Sequence, residues 1–125
     1  MKIKSIDHIV LTVQSIEAST VFYESLLGMV VERFADNRVA LKFGQQKINL
    51  HELGSEFEPK ASKPTSGSAD LCFITEGDLE QAMVHVKNKG VDILEGPTTR
   101  IGACGGITSF YFRDPDQNLI EVAVY

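Results

Sequence analysis

Short runs of alternating apolar and polar residues dominate the chain, interrupted twice by stretches with helical spacing. Across Lys2–Val13, Ile3, Asp7, Ile9, Leu11 and Val13 share one parity, while Ile6, His8, Val10 and Thr12 share the other. That alternation, with its β-branched content, predicts a strand. Ser15 stands at an N-cap position, and Ile16, Thr20, Tyr23 and Leu27 then recur at helical spacing, with Phe22 and Leu26 widening the stripe. Gly28 follows where helices end. Three short strands are predicted next, Met29–Phe34, Arg38–Phe43 and Lys47–His51, with turns at Asp36-Asn37 and Gly44-Gln45.

Residues 52–68 are rich in Ser, Pro, Lys and Gly without periodicity, which predicts a loop or linker. The plan then repeats. Ala69–Thr75 reads as a strand, Gly77 and Asp78 start a helix with a buried stripe of Leu79, Met83 and Val86, and Gly90 closes it. The separation of His8 from Gly28 equals that of Asp70 from Gly90. Val91–Leu94, Ile107–Arg113 and Asn118–Tyr125 complete a second βαβββ unit. An internal repeat constrains a fold more than any single element does. The expected organisation is one α+β domain over 1–125, with a first module at 1–52, a linker at 53–68 and a second module at 69–125.

The final strand carries the residue hardest to explain as structure. After the tight turn Asp114-Pro-Asp-Gln-Asn118, Ile120, Val122 and Val124 form an apolar face, so Glu121 projects from the other side. A carboxylate in so apolar a strand is costly without a partner. His8 and Asp70 lie on the first strands of the two units, His51 and Glu121 on the last. A pseudo-two-fold relation between the units would gather all four. Two imidazoles and one or two carboxylates suit Fe(II), Mn, Ni, Co or Zn. Each also has a purely structural reading: a packed or surface histidine, a Glu121 paired with Lys or Arg, an Asp70 capping a turn. His85, between Val84 and Val86 on the second helix, fits a solvated or packing role.

Composition narrows the function classes. At 125 residues, with 43% hydrophobic and 23% charged residues, the chain supports a folded core. A net charge of −5 argues against nucleic acid or an anionic membrane as partner. No apolar run approaches the roughly 20 residues of a membrane span, and no signal-peptide stretch is present, so a cytoplasmic location is expected. Cys72 and Cys104 form no CxxC pair and read as reduced thiols without an assigned role. Gly102, Gly105 and Gly106 lack the strand–loop–helix context of a phosphate cradle, which favours a flexible hairpin or mobile flap.

Three segments carry a family resemblance: Asp-His-Ile-Val-Leu-Thr-Val from Asp7, Phe-Tyr-Glu-Ser-Leu-Leu-Gly-Met from Phe22, and Phe-Tyr-Phe-Arg-Asp-Pro-Asp-Gln-Asn-Leu-Ile-Glu from Phe110. They resemble the vicinal oxygen chelate superfamily, which includes glyoxalase I, extradiol dioxygenases and bleomycin-binding proteins. The resemblance spans essentially the whole chain and is strongest to small glyoxalase-family and virulence-associated proteins. It implies paired βαβββ modules forming a cup-shaped mixed sheet around one divalent ion, with ligands from the first and last strands of each module. Carried over, these are His8, His51, Asp70 and Glu121. His51 stands where glyoxalases often carry Glu, and Asp70, shorter than the commoner His, is the weakest of the four. Thr12 replaces the Arg that holds the glutathione carboxylate in bacterial glyoxalase I, and Ser55 replaces an Asn beyond its second ligand. Both changes argue against a glutathione conjugate. Gln117 replaces the usual Gly of the turn.

What the resemblance implies is a metal-dependent enzyme of glyoxalase type, a lyase or isomerase akin to lactoylglutathione lyase. Glu121 or Asp70 would act as general base on a small molecule chelated through adjacent oxygens. The alternative is an Fe(II) extradiol dioxygenase using His8, His51 and Glu121. An alternative of another class is a non-enzymatic binder of the bleomycin-resistance kind with an aromatic groove. Thr12, Phe34, Phe43 and Tyr111 are the candidate substrate contacts, with Phe110 as a further aromatic. A homodimer is expected, as small single-chain relatives commonly pair.

Overall fold

The structure, a computed structural model, describes residues 1–125. The elements in chain order are β1 (His8–Val13), α1 (Ile16–Leu27), β2 (Val30–Phe34), β3 (Arg38–Phe43), β4 (Gln46–Glu52), β5 (Asp70–Ile74), α2 (Leu79–Asn88), β6 (Glu95–Gly102), β7 (Gly105–Arg113) and β8 (Leu119–Val124). They fall into two compact units, Met1–Ser66 and Gly67–Tyr125. Each unit is a βαβββ copy, as expected, with one four-stranded mixed sheet and one helix. No helix is long and apolar enough to cross a membrane.

In the first unit the strand order is β1-β4-β3-β2, with β1 parallel to β4 and the other neighbours antiparallel. Ser15 caps α1 by accepting a hydrogen bond from the Ala18 amide at 3.1 Å, and Gly28 ends it in the left-handed region at φ +66°. Leu11, Val13, Val39, Leu41, Ile48 and Leu50 are buried and share one face of the sheet by register. Tyr23 and Leu26 are the buried stripe of α1, which packs on β2, β3 and β4. β1 begins at His8 rather than at Lys2. Its only partner is β4, where Lys47 pairs His8, so the earlier alternation has no ladder to join.

The second unit repeats the order as β5-β8-β7-β6, with β5 parallel to β8. Asp78 caps α2 through the Gln81 amide at 3.0 Å, and Met83 and Val86 are buried, as are Phe110, Phe112, Ile120 and Val122. The strand expected at Val91–Leu94 lies instead at Glu95–Gly102. Pro97 and two glycines mask it in the sequence. Pro97 sits in the irregularity between Glu95 and Thr98, on an edge strand where its missing N–H is tolerated. The glycine-rich stretch, expected to be a flexible hairpin or mobile flap, is a paired hairpin, with Gly102 opposite Gly105.

Each parallel pair is started by a side-chain amide. Asn118, 1% exposed, accepts from the Ala69 amide at 2.9 Å and donates to Asp114 Oδ2 at 2.8 Å. Asp114, 2% exposed, also receives the amides of Asp116 and Asn118, each at 2.9 Å. In the first unit Gln46 Nε2 donates to the Ile6 carbonyl at 3.2 Å, in solvent-exposed surroundings. Removing the buried amide strands the Ala69 N–H and an Asp114 oxygen, whereas water replaces the exposed one. Asn118→Ala is therefore expected to lower stability by about 2–3 kcal/mol and Gln46→Ala by less than about 1 kcal/mol, as read from urea unfolding midpoints.

Candidate functional site

The register that buries one face of each sheet turns the remaining polar side chains to the other. In the first unit this polar face carries His8, Val10 and Thr12 on β1, and Lys47, Asn49 and His51 on β4. Val10 pairs Asn49 and Thr12 pairs His51. In the second unit the same face carries Asp70, Cys72 and Ile74 on β5, with Cys72 opposite Glu121 and Ile74 opposite Ala123. The repeat therefore matches His8 with Asp70, Val10 with Cys72, Asn49 with Glu121 and His51 with Ala123. Asn49, not His51, is the counterpart of Glu121.

His8 and His51 are not brought together. They lie four residues apart along the ladder, about 13 Å at strand rise. His8 is exposed, and its Nδ1 is 2.7 Å from Asp7 Oδ1, an interaction that lowers the Asp7 carboxyl pKa. His51 is 6% exposed, edge-on to the Phe57 ring at 5.6 Å between centroids. The Arg38 guanidinium stacks over the same ring at 4.4 Å. Burial first, and then the Arg38 charge, hold the His51 pKa below its ordinary value, so its ring is neutral at neutral pH. Within neither unit do three His, Cys, Asp or Glu side chains converge as a metal cluster.

Four buried side-chain oxygens lack a hydrogen-bond partner, those of Ser19, Asn49, Ser109 and Glu121, and two of them stand out by their place in the repeat. Glu121 Oε1 and Asn49 Oδ1 are both buried without a hydrogen-bond partner, and they occupy matching positions of the repeat. Asn49 was not among the residues singled out from the sequence. Its only signal there is parity: it shares a face with His8, two positions short of the more conspicuous His51.

Glu121 is flanked by Cys72 on β5 and Tyr111 on β7. Burial, and then the Glu121 carboxylate beside it, push the Cys72 thiol up to about 11. Tyr111 Oη accepts a hydrogen bond from Arg100 Nε at 3.1 Å. Arg100 is held in turn by Thr98 Oγ1 at 2.9 Å, the Thr99 carbonyl at 3.1 Å and Glu95 Oε1 at 3.1 Å. Glu121, Cys72, Tyr111 and Arg100 share a pocket of about 420 Å³ that lies wholly within the second unit. Asp70 is exposed at the start of β5.

The proposed substrate contacts divide by face. Thr12 lies on the polar face opposite His51, and Tyr111 lies opposite Glu121. Phe34 lies beneath the Lys47 ammonium at 4.4 Å from its ring centroid. Phe43 shares the parity of Val39 and Leu41 and so lies on the core face, away from Asn49. Phe110 is fully buried against Phe112, their centroids 5.8 Å apart, and is core.

Comparison with known proteins agrees with this architecture. The family model described as Glyoxalase/Bleomycin resistance protein/Dioxygenase superfamily matches residues 5–122. Virulence protein STM3117 of Salmonella typhimurium is 54% identical over all of this chain and 87% of its own length. Glyoxalase domain-containing protein RDO1 of Mycosarcoma maydis is 47% identical over all of this chain and 70% of its own. The structure of integron cassette protein VCH_CASS1 from V. cholerae superposes with a TM-score of 0.98 at 62% identity, covering 100% of this chain and 98% of that one.

Two outcomes follow from the site's electrostatics. The His51 pKa is depressed on folding, so the folded state disfavours its proton. Stability tied to His51 is then full above its unfolded pKa of about 6.5 and falls as the pH drops through and below that value. Between pH 7.5 and pH 5 the urea midpoint of the wild type is expected to fall further than that of His51→Gln. A thiol with a pKa of about 11 is only about one part in a thousand thiolate at pH 8. Carbamidomethylation of Cys72 by iodoacetamide at pH 8 is therefore expected to be slow, and Glu121→Gln is expected to accelerate it.

Proposed function

The chain belongs to the Glyoxalase/Bleomycin resistance protein/Dioxygenase superfamily, and on that premise we propose that it is a divalent-metal-dependent enzyme moving a proton on a small molecule. The observation that carries this reading is the buried Glu121 oxygen without a partner, matched in the repeat by Asn49 Oδ1. An unpaired buried carboxylate oxygen costs free energy that a cation offsets. Glu121 is thus the first ligand in the proposal, with Asp70 as the second donor of its unit, and His8 and Asn49 are the donors at the matching positions of the first unit. One imidazole with carboxylate and amide oxygens is a hard set, favouring Mn²⁺ or Fe²⁺ over softer preferences. His51 is left to its packing role against Phe57.

A divalent ion held there would supply Lewis acidity, which eases proton loss from a carbon beside a carbonyl. The chain's own residues divide the remaining work. Asp70 and Glu121 are the carboxylates available to exchange the proton. Tyr111 Oη already accepts from Arg100, which leaves its hydroxyl hydrogen to donate to a substrate oxygen. Cys72 is given no role in the proposal.

Proton transfer is favoured over Fe(II)-dependent ring cleavage by the register of the first unit. The two-His-one-carboxylate set needs both imidazoles on one ion, and His8 and His51 lie four residues apart along their ladder. The proposal includes a homodimer in the cytoplasm, as expected for small members of the family.

Metal content of the purified protein tests the reading. Near-stoichiometric divalent metal is expected in the wild type and in His51→Ala, with at least about tenfold weaker retention in Glu121→Gln and His8→Ala. Wild-type protein that holds no ion, and takes up none of Mn, Fe(II), Ni, Co or Zn, would leave a non-enzymatic binder.

A further inference from the structure

The pocket of the second unit contains a wall that the proton-transfer reading does not use. The buried Ile107 and the half-exposed Ile74 line it by register, together with Gly102, Ala103 and Tyr125, while Ile101, of the opposite parity and 86% exposed, only borders it. The gap at residue 102 is what makes this wall possible. Gly102 needs no unusual backbone conformation, yet a Cβ built there would lie 2.7 Å from Tyr125 Oη and 3.0 Å from Ile107 Cγ2. Tyr125 is not free to move away without loss, because its hydroxyl accepts the Cys104 amide at 2.9 Å. The hairpin between β6 and β7 is thereby fastened to Tyr125 at its turn.

The polar side of the same pocket limits the ligand further. Arg100 is already paired with Glu95, Thr98 and Tyr111, so its charge is matched and four of its donors are engaged. The pocket's volume, about 420 Å³, lies in the lower half of the range for small-molecule sites, about 300–1,000 Å³. A large, multiply charged conjugate matches neither the size nor the charge.

We infer that this wall is the specificity-determining part of the site: it receives a compact apolar body, a branched aliphatic group or a single ring, of a substrate whose reacting oxygens lie toward Glu121. The Gly102–Tyr125 contact sets how large that body is. The inference rests on the reading of Glu121 given above, since Glu121 lines the same pocket.

Isoleucine methyl NMR reads the wall directly, using phenol and 4-tert-butylphenol as probes. Each carries one oxygen and cannot chelate, so the titration is run on the protein as purified, with and without a chelator. Saturable shifts are expected at Ile74 and Ile107 with both probes, while the core residues Ile48 and Ile120 stay still. In Gly102→Ala the affinity for 4-tert-butylphenol is expected to fall at least about tenfold while phenol changes less than about threefold, the scale of discrimination that a single methyl imposes in an apolar pocket. Ala103→Val narrows the wall from a second position, is expected to act the same way, and decides the matter if Gly102→Ala fails to fold. Silent isoleucines in the wild type, or equal weakening of both probes in the variants, would overturn the inference. Because the shifts are read with the chelator present, loss of the metal reading and loss of this one are separate results.

Discussion

The position of every side chain on the two polar faces depends on one kind of contact, the side-chain amide that ties the first strand of a unit to its last. Asn118 takes the amide of Ala69 as β5 begins, and Gln46 gives to the carbonyl of Ile6 ahead of β1. A parallel pair has no tight turn to fix its register, because a whole crossover separates its strands. A slip of one residue would send Glu121 into the core and Ile120 out toward the pocket. The buried Asp114–Asn118 network makes such a slip expensive in the second unit. The first unit, with an exposed amide in the same place, relies more on the apolar ladder of Leu11, Ile48 and Leu50.

On this shared frame the two polar faces have diverged. The first gathers Lys42, Lys47 and Arg38 around Asn49, with Lys42 paired to Glu32 at 3.3 Å while Lys47 and Arg38 rest on aromatic rings. The second gathers Asp70 and Glu121 around a thiol; of its two cations, Arg100 is tied down by Glu95 and Arg113 lies on the same face at the Asp70 end. What they retain in common is an oxygen with no partner at the same place in each copy. Core positions in a repeat are constrained by packing, whereas polar-face positions vary until chemistry constrains them.

The fold was largely legible in the sequence. Periodicity gave both helices with their caps at Ser15, Gly28 and Asp78, and the matched spacing of the halves gave the repeat. One element was missed and another extended too far, each for a physical reason. β6 hid behind Pro97 and its glycines because an edge strand with a bulge tolerates residues that ordinarily break strands. Lys2–Asp7 alternates like a strand but has no partner to pair with, and alternation alone does not supply one. In the site, Glu121 was legible because a carboxylate within Leu-Ile-Glu-Val-Ala-Val contradicts its surroundings. Asn49 was not, since an amide beside a histidine draws no attention until the register is known. Phe43, a candidate substrate contact because of its ring, lies on the core face by register, since aromatic type says nothing about parity.

The elevated Cys72 thiol has a consequence for which ions the second unit admits. Sulfur prefers soft, thiophilic metals, but it binds them well only as thiolate, and each such event must expel a proton. With the Glu121 carboxylate alongside, that proton is held tightly. The soft atom nearest to the carboxylates is thereby silenced, and the face presents itself to the medium as an oxygen surface. The same proton shields the sulfur from peroxide, whose attack begins on the thiolate. A cysteine without an assigned role in the sequence is, in the fold, a neutral spacer, held so first by desolvation and then by its acidic neighbour.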